Sequence, residues 1–109
     1  MTPVEFKAIM DTITTIPHIY YSYPEQEAPQ LPYFVWYFAG SENFGADDVM
    51  YVNILTPVIE LYTKEKSYET EKTLEDELNK YFFWNKNETY LTSEEMFQIT
   101  YEIGDICNA

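Results

Sequence analysis

Tyr33-Phe34-Val35-Trp36-Tyr37-Phe38 is apolar or aromatic at every position, so it offers water no polar face. A run this short, rich in aromatic and β-branched side chains, reads as a strand covered on both faces. It predicts a central strand with helices on one side and another surface on the other. Extended to Ala39 it is the longest apolar stretch of the chain, too short to cross a bilayer. Near the N-terminus, Glu5, Lys7 and Asp11 stand where a signal peptide would need its apolar core, so a soluble, intracellular protein is expected.

Upstream of this strand, Thr2-Pro3-Val4-Glu5 has the make-up of a helix start: a capping threonine, proline in the first turn and a glutamate to complete a capping box. Phe6, Ile9, Met10 and Ile13 follow as one apolar stripe, and Thr14-Thr15-Ile16-Pro17 should end the helix. From His18 to Tyr23 the residues alternate with the period of a strand. Pro24 to Pro32, with three prolines, reads as an extended exposed connection, and Gly40 to Asp48 as a polar loop carrying one aromatic, Phe44.

Met50 to Thr63 reads as one long strand or a bent pair, with Pro57 confining it to an edge or a bulge. Ser67 can cap a second helix with Glu69 and Glu71 in its first turn and Leu74, Leu78, Tyr81 and Phe82 as its buried stripe. Glu75, Asp76 and Glu77 are expected to face water. Asn85-Lys86-Asn87 should turn the chain, Glu88 to Thr92 should begin a strand, and Phe97, Ile99, Tyr101 and Ile103 alternate as another, with a short tail from Gly104.

At 109 residues with 46% hydrophobic content the chain suits one domain, residues 1–109. The order α-β-β-β-α-β-β has too few helices for a doubly wound sheet. It predicts an α+β fold, a two-layer sandwich in which a mainly antiparallel sheet carries two helices on one face. The other face, rich in Tyr and Trp, would stay partly exposed unless a second subunit covers it.

Nineteen acidic residues against six basic ones give a net charge of −13, the reverse of a phosphate-binding design. Specific nucleic-acid binding and attachment to anionic membranes are therefore not expected. The single cysteine, Cys107, excludes an intrachain disulfide, and glycines at 40, 45 and 104 form no phosphate cradle. His18 is the only histidine and no nucleophile motif accompanies it, so it reads as structural. The acidic pairs Asp47-Asp48 and Glu94-Glu95 and the run Glu75-Asp76-Glu77 read as solvated surface, since such pairs arise readily among so many carboxylates. No enzyme, metal or cofactor is expected. Tyr20, Trp36 and Phe44 are candidate interface aromatics.

Several segments carry a family likeness: Tyr23-Pro24-Glu25 followed by Leu31-Pro32-Tyr33-Phe34-Val35, Asn43-Phe44-Gly45-Ala46-Asp47-Asp48 leading into Tyr51, and Glu60-Leu61-Tyr62-Thr63. Glu88-Thr89-Tyr90-Leu91 and Met96-Phe97-Gln98-Ile99-Thr100-Tyr101-Glu102 extend it over most of the chain. In these the sequence resembles the small tail-terminator, tail-completion or head-tail joining proteins of siphophages infecting Gram-positive bacteria and of their prophage copies. The resemblance implies a two-layer α+β subunit without catalysis or cofactor, assembled as a hexameric ring that caps the tail tube and meets the head connector.

Its place would be the virion's tail-head junction, and the host cytoplasm during assembly. Part of the acidic charge would line the channel, so that DNA slides through without sticking. The segments Pro24–Pro32 and Gly40–Asp48 are the expected contact or lumen loops, and Tyr20, Trp36, Phe44, Asp47 and Asp48 the expected interface residues. A head-tail connector or neck protein of the same virion is the nearest alternative. From charge alone, an acidic DNA mimic that inhibits a host DNA-binding protein is another.

Overall fold

The computed structural model describes residues 2–24, 26–44, 52–104 and 106–108, with the side chains of residues 40–44, 52–54 and 106–108 left aside. The helix α1 (Pro3–Thr12) begins as its sequence dictates. Thr2 Oγ1 accepts from the Glu5 backbone N–H at 3.2 Å, and Glu5 Oε1 accepts from that of Thr2 at 3.3 Å, a reciprocal capping box with Pro3 behind it. A short strand β1 (His18–Tyr20) leads through residues 21–32 to β2 (Tyr33–Phe44), which forms a long hairpin with β3 (Val52–Thr63). Helix α2 (Tyr68–Leu78), capped by Ser67 Oγ on the Thr70 N–H, crosses back, and β4 (Trp84–Leu91), β5 (Met96–Ile103) and β6 (Ile106–Asn108) complete the chain.

The strands lie in the order β1-β2-β3-β5-β4, with β6 also on β3. Every pairing is antiparallel except β1 with β2. A parallel neighbour needs a crossover of about a dozen residues, and residues 21–32 supply it without a helix. The fold is therefore the expected α+β two-layer arrangement, with a mixed sheet. Phe34, Trp36, Ile59, Leu61, Ile99, Tyr101 and Ile103 alternate onto one face and form a single buried cluster with Phe6, Met10, Ile13, Ile16, Leu74 and Leu78. Phe6 sits in the middle of it, its ring 5.6 Å from Trp36, 5.7 Å from Phe38 and 5.3 Å from Phe82.

The central strand is β3, and the aromatic run of β2 lies beside it. Pro57 is tolerated there because the ladder to β5 begins at Val58 and the ladder to β6 ends at Leu55. The proline falls in the interval between them, where a missing N–H removes no rung. On the other side, the register with β2 shifts between Ala39 and Ser41, so Gly40 is the extra residue of a bulge at the same level. The irregularity expected at Pro57 is thus carried by its neighbours, and β3 runs through as one strand.

Several boundaries differ from expectation. Strand β1 stops at Tyr20 because Tyr21 turns to φ 72°. Residues 40–44 continue β2, since pairing with residues 52–55 outweighs their polar composition. Asn85-Lys86-Asn87 lies inside β4, with the turn that leads into this strand earlier, at residues 79–81, because the polar side of an edge strand can face water. The segment after Gly104 is β6, not a loose tail. Tyr81 and Phe82 lie beyond the end of α2, and Tyr81 is half exposed while Glu71 takes its place among the buried residues.

Candidate functional site

Two surface features stand out, one on each side of the sheet. On the helix side, at the β1 edge, alternation places Tyr20 on the same face as Trp36, its register partner. The Tyr20 ring lies 4.7 Å from Trp36 and 6.4 Å from Phe38, and Trp36 meets Phe38 edge-on at 5.9 Å. Pro3, Val4 and Lys7 of α1 form the opposite wall, leaving an open apolar groove of about 260 Å³. Lys7 holds its ammonium against Asp11 at 2.8 Å, so its methylene stem is what it can lend to the wall. Trp36 is 4% exposed and makes the floor, whereas Tyr20 at 52% and Val4 at 78% are open to contact. The groove borders a three-residue strand at the end of the sheet, where unpaired backbone groups invite a partner.

On the opposite face, Tyr33, Val35 and Tyr37 of β2 lie beside Tyr62, Glu60 and Val58 of β3. Glu60 faces away from the core because its neighbours Ile59 and Leu61 face into it. Tyr37 donates its hydroxyl to Glu60 Oε2 at 2.9 Å and Tyr62 to Oε1 at 2.8 Å, while Gln98 Nε2 donates to the Tyr62 oxygen at 3.1 Å. Burial, then the Glu60 carboxylate, pushes the Tyr37 hydroxyl up to about 12 and that of Tyr62 up as well, so both remain donors. The crossover folds Tyr21, Tyr23 and Gln26 over this face and closes an open cavity of about 430 Å³, with Leu91, Glu94 and Met96 on its far side.

The two expected aromatics Tyr20 and Trp36 are therefore brought together, although Trp36 belongs to the core side and not to the open face, which is populated by tyrosines. Trp84 is also turned inward, edge-on to Tyr101 at 5.3 Å. Phe44 ends β2 opposite Val52, but its side chain, like Asp47 and Asp48, lies outside the described residues. So does the side chain of Cys107. His18 stacks on Phe34 with ring centres 4.4 Å apart and 8° between planes, and its Nδ1 lies 3.0 Å from the Ile16 carbonyl oxygen. Both contacts serve packing. The run Glu75-Asp76-Glu77 does not converge: Glu75 meets Tyr101 and Lys86, Asp76 meets Lys72, and Glu77 meets Lys80. Glu75 thus faces the sheet, not water. Among the described residues no three His, Cys, Asp or Glu side chains are grouped to hold a metal.

Glu60 and Glu71 carry most of the polar organisation and neither was singled out in the sequence as a site residue. The signal for Glu60 was its position, a lone acid between two core residues of a strand. For Glu71 the sequence offers only its place in the first turn of a helix, favourable to the dipole. The chain matches no known family model and no curated protein sequence. Among the described residues no helix is long and apolar enough to cross a membrane.

Proposed function

We propose that the chain is a non-enzymatic building block of a phage or prophage virion. In this reading it is a tail-terminator subunit whose copies close head to tail into a ring, hexameric as the family likeness implies. The ring caps the tail tube, meets the head connector and lets DNA pass through an acidic channel. The observation that supports assembly is the groove at the β1 edge, where a half-exposed Tyr20 lies over buried Trp36 and half-buried Phe38 beside Val4. An aromatic anchor at a desolvated pocket is the usual centre of a protein contact.

Head-to-tail closure requires two different surfaces on one subunit. The two ends of the strand path, β1 and β4, supply separate edges, and Tyr90 on β4 is half exposed like Tyr20. The net charge of −13 supports a wall that repels passing phosphates.

Native mass spectrometry and negative-stain imaging, with and without tail tube protein, test this. Rings are expected, and Tyr20→Asp should disperse them while leaving the circular dichroism of the subunit unchanged. A chain that stays monomeric in every condition and never caps tubes overturns the reading. Binding to head connector but not to tube moves the protein to the neck.

A further inference from the structure

We propose that the cavity on the open face of the sheet receives the cationic side chain of a lysine or arginine presented by a partner protein. The inference goes beyond ring assembly and stands without it. Tyr21, Tyr23, Tyr33 and Tyr62 line the cavity together with the carboxylates of Glu60 and Glu94. Tyr23 and Tyr33 meet at 5.2 Å and 80°, and Tyr33 and Tyr62 at 5.4 Å and 43°, so the wall presents ring faces in several orientations. Such faces attract ammonium and guanidinium groups, and more strongly where water is thinned out.

Glu60 supplies the fixed charge. Each of its oxygens accepts one tyrosine hydroxyl, which holds the carboxylate still, yet a carboxylate can accept about four hydrogen bonds, so acceptor capacity remains. Among the described residues no lysine lines the cavity to supply the counter-charge. Among the described residues no ion pair forms at Glu60 or Glu94. The chain contains no arginine; Lys7, Lys66, Lys72, Lys80 and Lys86 are engaged with other acids, and the sixth lysine, Lys64, is exposed and does not line the cavity. An anion would be repelled here, and a purely apolar group would cover the carboxylate without replacing its lost water.

The shape fits a long side chain. Leu91 and Met96 offer an apolar strip for methylenes next to the charged end of the cavity. Two residues of the crossover that line it, Tyr21 and Gln26, have positive φ angles of 72° and 65°, an uncommon state for bulky residues that sets the tyrosine ring over the open face. Tyr21 is held in it by its N–H bond to the Trp36 carbonyl at 2.8 Å.

The full chain, isotope-labelled, is titrated with N-acetyl-lysine methylamide, N-acetyl-arginine methylamide and the neutral N-acetyl-norleucine methylamide while amide and tyrosine-ring shifts are followed. One or both cations should shift the signals of Tyr21, Tyr23, Tyr33 and Tyr62 and bind about tenfold tighter than norleucine, the ratio expected of one charge-assisted hydrogen bond. Glu60→Gln should remove that advantage, and Glu77→Gln, on α2, should leave it. If Glu60→Gln fails to fold, Glu94→Gln takes its place, since its side chain is exposed. Equal binding of norleucine, no binding of either cation, or an unchanged cation preference in the folded variant overturns the proposal.

Discussion

Glu71, 2% exposed on the inner side of α2, has one carboxylate oxygen 2.6 Å from Lys66 Nζ. Its other oxygen lies 3.0 Å from Lys86 Nζ of β4, and Lys66 also pairs with Glu88. One acid thereby ties the helix to the loop before it and to the edge strand beneath it. Replacing it leaves two lysines short of a partner. Glu71→Ala should destabilise the fold by roughly 2–3 kcal/mol, below the range for fully enclosed pairs because Lys66 and Lys86 are 28% and 39% exposed and partly solvated. Urea unfolding at neutral pH measures it.

The same carboxylate gives stability a pH dependence with a definite sign. Burial pushes the Glu71 carboxyl up, but hydrogen bonds and charge from Lys66 and Lys86 outweigh it, and the net shift is downward from 4.5. A depressed folded pKa adds stability that is present above the unfolded value and is lost as pH falls through the folded one. Relief of repulsion among nineteen acids acts in the opposite direction in acid, so the whole-protein curve mixes the two. The difference between wild type and Glu71→Gln isolates the pair. That difference should be largest near neutrality and shrink as pH drops below about 4.5. A constant offset at all pH values would remove the ion pair from the account.

Tyr101 at the heart of the sheet donates its hydroxyl to Glu75 at 2.7 Å, and the same oxygen of Glu75 lies 2.8 Å from Lys86. Burial, then Glu75, pushes the Tyr101 hydroxyl far up, so it remains a donor throughout the range in which the protein is handled. Tyr101→Phe keeps the buried ring and its contact with Trp84 but loses this bond. A loss of about 1.5 kcal/mol is expected, the lower end for a bond to a charged acceptor, since Glu75 keeps Lys86. Thermal unfolding checks it, and an unchanged midpoint would mean that water replaces the hydroxyl.

How much of this was legible follows from what each signal encodes. The capping box at Thr2 and Glu5 and the stripe Phe6, Met10, Ile13 are local, and local pattern predicts them. Pro57 was misplaced because propensity treats a proline alone, whereas its neighbours β5 and β6 leave a gap opposite it. In sequence Glu71 reads as a helix-dipole acid and Glu75 as a solvent-facing one, because their partners Lys66, Lys86 and Tyr101 are brought to them by tertiary packing. In sequence Tyr20 and Trp36 are sixteen positions apart, and only the parallel register of β1 on β2 makes them one surface. The tyrosine cavity around Glu60 depends on the path of the crossover, which no periodicity describes.

Tyr20 and Trp36 separate assembly from folding. Trp36 is buried against Phe6 and Phe38, so Trp36→Ala should lose about 3–5 kcal/mol of stability, as expected for emptying an aromatic site in a packed core. Tyr20 keeps half its surface in water, so Tyr20→Ser should change subunit stability by less than about 1 kcal/mol. If the groove is where copies meet, the order reverses in assembly: Tyr20→Ser loses an anchor and should shift the population from rings to subunits at concentrations where the wild type remains assembled. Urea unfolding and native mass spectrometry on the same two variants give both orders. A Tyr20→Ser protein that assembles like wild type would place the contact elsewhere on the molecule, with the open edge of β4 and its exposed Tyr90 next to be mutated.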